Sequence, residues 1–581
     1  MWRTLAPGRN TKLPNLGPKN SVSGFFATKL PQIRTAAGHS TGKTAAQTTV
    51  RSRKYLYVAA GAVATTAGAY YIDTSFLSST GVRSIRAFYV LMWIAYEYSR
   101  NSDKYENLED LHEATSEALL QLLMENKGLY IKLGQAIANQ GSIFPVAYQK
   151  RFSKLYDEAP VTPWAKVDRV LREELGENYG EIVQVDRTPI ASASIAQVHR
   201  GRLSTGEDVA VKVQHYYMKN QIVADLAMYR LISRIYEYVF ELPMTMFTRY
   251  VSDQMHHETS FIQERKNGDK LAHMIAHDNS ARKLNVHVPR TYPDVSTDRV
   301  LITEWIDGIS MVSRERMEAA GYSAATAMDQ YLRLFGRQFF KYGFVHSDPH
   351  PGNLMVRFDA NKKQQLVILD HGLYITLPDK FRRQFRDLWR YIFSLDTAGI
   401  HHISQDWGIG SSQMFTTMVT LRAPDGTDRP MRPPHMGGGS GGSGEKGEKG
   451  DIKALFRDFL SDEKRFPMEL LFLMRTQRMI QNLNLQMGSP VNRINLLTKE
   501  SVAAALAERP HWAAWWGLWR VRLALLVSDV VFWVFRLHQM LTGRHDSSGG
   551  IERYIMEVTK ESSRAMGFDV WDGEAEASAA S

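Results

Sequence analysis

Residues Gly343 to Asn353 read GFVHSDPHPGN, and Val367 to Gly372 read VILDHG. In the first stretch Asp348 follows His346 by two positions and precedes Asn353 by five. That spacing lets a short loop present a carboxylate and an amide oxygen to one centre. The second stretch is a β-branched run ending in Asp370 and Gly372, a strand feeding a tight turn. A third stretch, VAVK at Val209 to Lys212, ends another strand pattern in a fixed cation. Each alone is weak: a lone strand lysine is usually a surface charge, and a lone H-x-D is usually loop chemistry. Their order and setting carry the reading.

A strand lysine, then an H-x-D-x-x-x-x-N loop after a helix, then an Asp-x-Gly after a strand is similar to the protein-kinase arrangement. The expected roles follow from charge. ATP phosphates need a fixed cation, for which Lys212 is the candidate. An acid on a neighbouring helix must hold that ammonium. ETSFIQERKN offers Glu258 and Glu264, and Glu264, which leads into the helical run, is preferred. Taken alone, either acid reads as part of a solvated helix face. Asp370 and Asn353 supply hard oxygen donors for magnesium. Asp348 would orient or deprotonate an attacking hydroxyl or water. Glu304, in ITEWIDG, ends the strand entering the interlobe hinge, where backbone groups usually hold the adenine, and is counted with the nucleotide-binding positions on that ground.

The rest of the chain sets this site in context. The 581 residues allow three or four domains. There is no cysteine, which excludes disulfides, thiolate metal sites and a Cys nucleophile. The net charge of +10 is concentrated at the start: residues 1 to 72 hold ten Lys or Arg and no acid. Setting these ten aside from the 71 bases leaves 61, against 61 acids. A neutral body argues against nucleic acid as a partner.

Residues 1–54, rich in Arg, Lys, Ser, Thr and Ala, are expected to be a mitochondrial transit peptide. Residues 55–72, YLYVAAGAVATTAGAYYI, carry no charge and have tyrosines at both ends. They read as a short transmembrane anchor or, alternatively, a buried Ala-rich helix. If they span, the cluster Arg51, Arg53 and Lys54 places the body in the intermembrane space. Trp512 to Leu541 carries five tryptophans but is interrupted by Arg520, Arg522, Asp529 and Arg536. It reads as a packed or membrane-surface helix rather than a span.

The expected organisation is a helical extension over 73–180, an N-lobe over 181–310 and a C-lobe over 311–422. A flexible Gly/Ser/Lys/Glu insertion over 423–451 follows, then a helical region over 452–545 and a polar tail over 546–581. The fold class is α+β, a two-lobed kinase-like fold with helical additions at both ends.

Three features make the chain resemble the UbiB/AarF-domain atypical kinases, a family associated with coenzyme Q and lipid biology. KLGQ at Lys132 to Gln135 resembles the KxGQ motif. ASASIAQVH at Ala191 to His199 resembles an Ala-rich phosphate loop, and HSDPHPGN resembles H-A-D-P-H-P-G-N. The resemblance covers roughly Asn107 to Asn492, and FPMELLFLMRTQRM near Arg475 is similar to the family's C-terminal helices. It implies binding of ATP or ADP with magnesium, low ATPase activity and little protein-kinase activity. It makes Ala191, Ser192, Ala193 and Ser194 nucleotide-binding positions. The KxGQ helices would cover the place of a peptide substrate, with Lys132 reaching the nucleotide site, Gly134 inside the motif and Gln135 pinning the helix. The leader, the anchor and DHG are similar to the inner-membrane branch of fungi and animals, with coenzyme Q or a phospholipid as the lipid partner. Self-association is left open. His371 stands where DFG has Phe, which puts the usual packing switch in question. Ser347 stands where protein kinases place an Arg, so activation through a loop phosphate is not expected. Alanines restrict positive φ, so altered phosphate placement is expected. A nucleotide-gated scaffold without turnover and a true small-molecule or lipid kinase are the alternatives.

Overall fold

The computed structural model describes residues 65–73, 79–100, 105–409 with short interruptions, 466–508 and part of 521–534. The transit-peptide, insertion and tail regions expected from the sequence, and Glu258, lie outside the described residues.

An N-terminal extension comes first: α1 (Thr80–Arg100), α2 (Leu108–Asn126), α3 (Leu129–Ala138) and α4 (Val146–Phe152). Their apolar faces meet in a core of Ala87, Leu120, Leu123, Ile131, Tyr148, Phe152 and Leu155. Residues 65–73 form a helix whose side chains are exposed up to Asp73, which is buried. The Asp73 carboxylate accepts from the N–H groups of Gly81 (2.7 Å) and Val82 (2.9 Å), capping the start of α1 and fixing the corner between the two helices. Residues 55–64 of the expected anchor lie outside the described residues. Among the described residues no helix is long and apolar enough to cross a membrane.

α5 (Trp164–Leu175) leads into the N-lobe sheet. β1 (Val183–Val185), β2 (Ala191–Ser192), β3 (Ala196–Leu203), β4 (Asp208–Gln214) and, after α6 (Met218–Phe240) and α7 (Phe261–His277), β6 (Val300–Glu304) build it. The order is β1-β3-β4-β6, antiparallel, with β2 on β3. Strand alternation explains the position of the lysine. Val209, Val211 and Val213 of β4 are buried with Val167, Val170 and Leu171 of α5. Ala210 and Lys212 therefore face the opposite side, toward the cleft.

In the C-lobe, β5 (Val286–His287), β7 (Ile309–Ser310), β9 (Leu354–Phe358) and β10 (Gln364–Ile368) form a second sheet, ordered β5-β10-β9-β7. The β9–β10 hairpin brackets the Asp348–Asn353 loop and the Asp370 turn. β8 (Phe344–His346) pairs with β11 (Tyr374–Thr376), drawing the H-x-D and DHG segments together. α8 (Ala324–Arg337) forms the axis of the large core, packing Tyr331, Leu334 and Phe335. Phe385 and Trp389 of α9 (Asp379–Ser394) and Leu473 and Ile480 of α10 (Glu469–Gln486) pack against it. Only a short segment separates β11 from α9, so no long loop lies between the DHG turn and the next helix. Of the Trp-rich C-terminal stretch, Val521, Leu525 and Phe532 are buried, while Leu526, Val530 and Trp533 are exposed.

Candidate active site

The strand lysine meets its acid at the back of the cleft. Lys212 Nζ lies 2.7 and 2.9 Å from the two Glu264 oxygens. Ser260 caps the first turn of α7 through the Gln263 N–H, which fixes where that helix starts and hence where Glu264 points. Burial alone would lower the Lys212 ammonium, but the carboxylates of Asp370 and Glu264 outweigh it and hold it above its ordinary value. Removing one member of such a pair leaves an uncompensated buried charge, at a cost of about 3–5 kcal/mol. Glu264, the acid preferred in the sequence, is placed beside the lysine; Glu258 lies outside the described residues.

Asp370 stands 3.8 Å from Lys212 through Oδ1, which also accepts from the Gly372 N–H at 2.8 Å. Asn353 Nδ2 donates to Asp370 Oδ2 at 3.3 Å. Burial would raise the Asp370 carboxyl, but Lys212 and Lys132 outweigh it and hold it well below the usual carboxylate range. Among the described residues no cluster of three His, Cys, Asp or Glu could form an all-protein metal cage. One carboxylate beside one amide fits magnesium nonetheless, because that ion keeps waters and takes phosphate oxygens as further ligands.

The far end of the cleft differs. Asp348 accepts from Lys132 Nζ at 2.9 Å through Oδ2 and from Arg475 Nη2 at 3.0 Å through Oδ1. Burial would raise its carboxyl, and Lys132 and Arg475 overcome this and drive it far below the ordinary range. Both cations come from outside the two lobes: Lys132 from α3, Arg475 from α10. The KLGQ motif explains how α3 gets close enough. A Cβ on Gly134 would fall 2.3 Å from Leu155 Cδ1 and 2.6 Å from Leu123 Cδ1, so any larger residue would have to push both leucine side chains aside. Gln135 Nε2 donates to the Leu155 carbonyl at 3.0 Å and pins the helix end. Arg475 was not foreseen as a site residue. Its signal was an arginine inside the otherwise apolar run LLFLMRTQ, where burial demands an anionic partner.

Over the cleft, Ala191 and Ser192 lie in β2, and none of residues 191–194 takes positive φ. Ala193 N–H donates to the Ala196 carbonyl at 2.7 Å, so it points back into the turn rather than toward a phosphate. Ser194 is buried. His215 Nε2 donates to the Ala193 carbonyl at 2.9 Å, and the Thr162 hydroxyl donates to His215 Nδ1 at 2.7 Å. Gln197 holds the Thr162 backbone from below, its Oε1 accepting from the N–H at 2.7 Å. The residues entering α5 thus tether the loop, a link with no trace in a linear motif.

Glu304 ends β6, but its carboxylate turns away from the nucleotide face. It binds His287 Nε2 at 2.8 Å, Arg357 Nη1 at 3.2 Å and the Arg290 N–H at 3.2 Å. Burial would raise it, and these donors together hold it down at about 2. The side chain cross-links the hinge to β5 and β9, because strand alternation at the end of β6 points it outward; the hold on the adenine expected at this position is one by backbone groups.

A family model described as an ABC1 atypical kinase-like domain matches residues 154–404. The chain is 34% identical over 508 residues to the ABC1 family protein lscO of Purpureocillium lilacinum, covering 80% of this chain and 84% of that one. It is 32% identical over 490 residues to an ABC1 family protein of Schizosaccharomyces pombe, covering 83% and 88%. It is 29% identical over 399 residues to AarF domain-containing protein kinase 1 of Xenopus laevis, covering 67% and 74%.

Proposed function

The chain belongs to the ABC1 family of atypical kinase-like proteins, the UbiB/AarF group, and from that premise we propose that it is an ATP-dependent enzyme of the inner mitochondrial membrane. It binds ATP or ADP with magnesium and hydrolyses ATP or phosphorylates a small molecule or lipid, in coenzyme Q or phospholipid homeostasis. The observation that carries this reading is the convergence of Lys212, Glu264, Asn353 and Asp370 beside an Asp348 whose two oxygens face Lys132 and Arg475. Lys212, steadied by Glu264, neutralises phosphate charge. Asp370 and Asn353 would hold magnesium, which screens the phosphates when bound. Asp348 orients the attacking hydroxyl or water once its counter-ions withdraw. Lys132 occupies the acceptor side of Asp348, which supports small acceptors over a protein chain.

The acid-free leader and the uncharged segment 55–72 support the membrane placement, with the kinase-like body in the intermembrane space. Protease protection of intact and outer-membrane-ruptured mitochondria tests that topology. Asp370→Asn tests the site: thermal stabilisation by Mg–ATP disappears, and an undiminished shift would remove the metal assignment. The neutralised Asp348 also favours a second reading, a nucleotide-gated scaffold without turnover. Loss of cellular function in Asp348→Ala with nucleotide binding intact selects the enzyme, whereas full rescue by that variant selects the scaffold.

A further inference from the structure

The DHG turn is fastened to the Glu264 helix at Asn267 and Gly268. One turn along α7 from Glu264, Asn267 Nδ2 donates to the His371 carbonyl at 2.9 Å. Gln263 Nε2 donates to Asn267 Oδ1 at 2.9 Å and sets the orientation of that amide. Gly268 lies flat against the imidazole, where a Cβ would fall 3.2 Å from ring Cδ2. The ring is also held from its other side. Its Nδ1 lies 2.9 Å from Tyr374 Oη and its Nε2 3.1 Å from the Ile368 carbonyl. The carbonyl can only accept, so Nε2 carries the proton and the Tyr374 hydroxyl donates to Nδ1. Asn267 and His371 are both buried.

A phenylalanine at this position is held by packing alone and can leave its pocket. The imidazole would abandon two hydrogen bonds in a buried site, and unmade bonds there are costly. With so short a segment between β11 and α9, the turn also has little chain with which to move.

We infer that Asn267, Gly268 and Tyr374 are positioning residues for Asp370. They bind the Asp370–Gly372 turn to the Glu264 helix, so the Lys212–Glu264 pair and the metal-binding carboxylate move as one body. In a DFG kinase these are two separately movable parts. The inference rests on the reading of Asp370 as the metal-binding carboxylate of a nucleotide site.

The test measures two quantities on the purified full-length chain with a fluorescent ADP analogue. One is the magnesium concentration for half-maximal binding at saturating nucleotide. The other is nucleotide affinity at saturating magnesium. Loss of an orienting partner behind a metal ligand typically weakens metal binding about 10-fold or more, so Asn267→Ala shifts the magnesium midpoint up by about that factor. Tyr374→Phe removes one hydroxyl, keeps the ring stacked on Phe344 and His346, and shifts the midpoint in the same direction by a smaller factor. Nucleotide affinity at saturating magnesium stays within about 2-fold in both, because Lys212 and Glu264 are untouched. An unmoved midpoint, or a loss of nucleotide affinity in equal proportion, overturns the inference. A wild-type chain that binds no nucleotide overturns the reading of the site, and the inference with it.

Discussion

The inner and outer ends of the cleft are built from different material. At the inner end Lys212, Glu264, Asn353 and Asp370 come from the two lobes and pair with one another. At the outer end Asp348 comes from the C-lobe, while its partners Lys132 and Arg475 come from helices added before and after it. On the proposed function, the inner end would receive phosphate and metal. The outer end has its carboxylate paired with two cations, so transfer would require a counter-ion to leave. Nucleotide binding and phosphoryl transfer would then fall under separate control within a single cleft.

Perturbations of the outer end should leave the Lys212–Glu264 pair of the inner one in place, although Lys132 also acts on Asp370. The largest expected effect is from Gly134→Ala, whose Cβ collides with Leu155 and Leu123. Overpacking of this kind costs about 1–3 kcal/mol, read as a lowered denaturation midpoint of the extension with Lys132 displaced. Magnesium–nucleotide affinity at the inner end should persist where the chain stays folded, and its loss in step with stability would break the separation. Next come Lys132→Ala and Arg475→Met, each removing one counter-ion from Asp348. Each should raise ATP turnover by about 10-fold, less than the roughly 100-fold or more that a fully freed general base contributes because the other cation remains, with KM little changed. A fall in kcat in both would show instead that the cations serve the transfer step.

Smaller effects are expected where the inner end is tied to its surroundings. Thr162→Val removes the hydroxyl that orients His215 beneath the Ala-rich loop, at about 1 kcal/mol of stability and with a raised KM for ATP. An unchanged KM would detach this network from the nucleotide. The smallest effect concerns the hinge. Glu304 is held at about 2, below the ordinary carboxylate value of 4.5. A depressed carboxylate contributes stability above its unfolded value, and that contribution is lost as pH falls through the folded one. Wild type should therefore exceed Glu304→Gln in Tm at neutral pH, with the gap closing between about pH 4.5 and 2. A gap independent of pH would mean that charge at Glu304 does not matter.

The linear pattern located Lys212, Asn353 and Asp370 of the inner end and Asp348 of the outer one, since each sits in a short motif whose spacing reflects a local turn or strand. Glu264 was separable from Glu258 only by its position at the start of a helical run. The cross-link made by the Glu304 side chain was not legible, because a strand end gives little sign of which face its last side chain takes. Arg475 and the Thr162–His215 tether were missed because their partners lie far off in the chain, and no periodicity encodes such pairs.

By itself, then, the order of residues determined the two-lobed α+β architecture, the lysine and carboxylates of the cleft, and the oddity of alanines and DHG where glycines and DFG are usual. These depend on local propensity and short-range spacing. Only the tertiary structure decided that Asp348 is held by two cations, that Gly134 brings α3 within reach of it, and that His371 is buttoned to the Glu264 helix. Those facts arise from packing between distant helices, where contact distance and burial, rather than sequence neighbours, set charge and geometry.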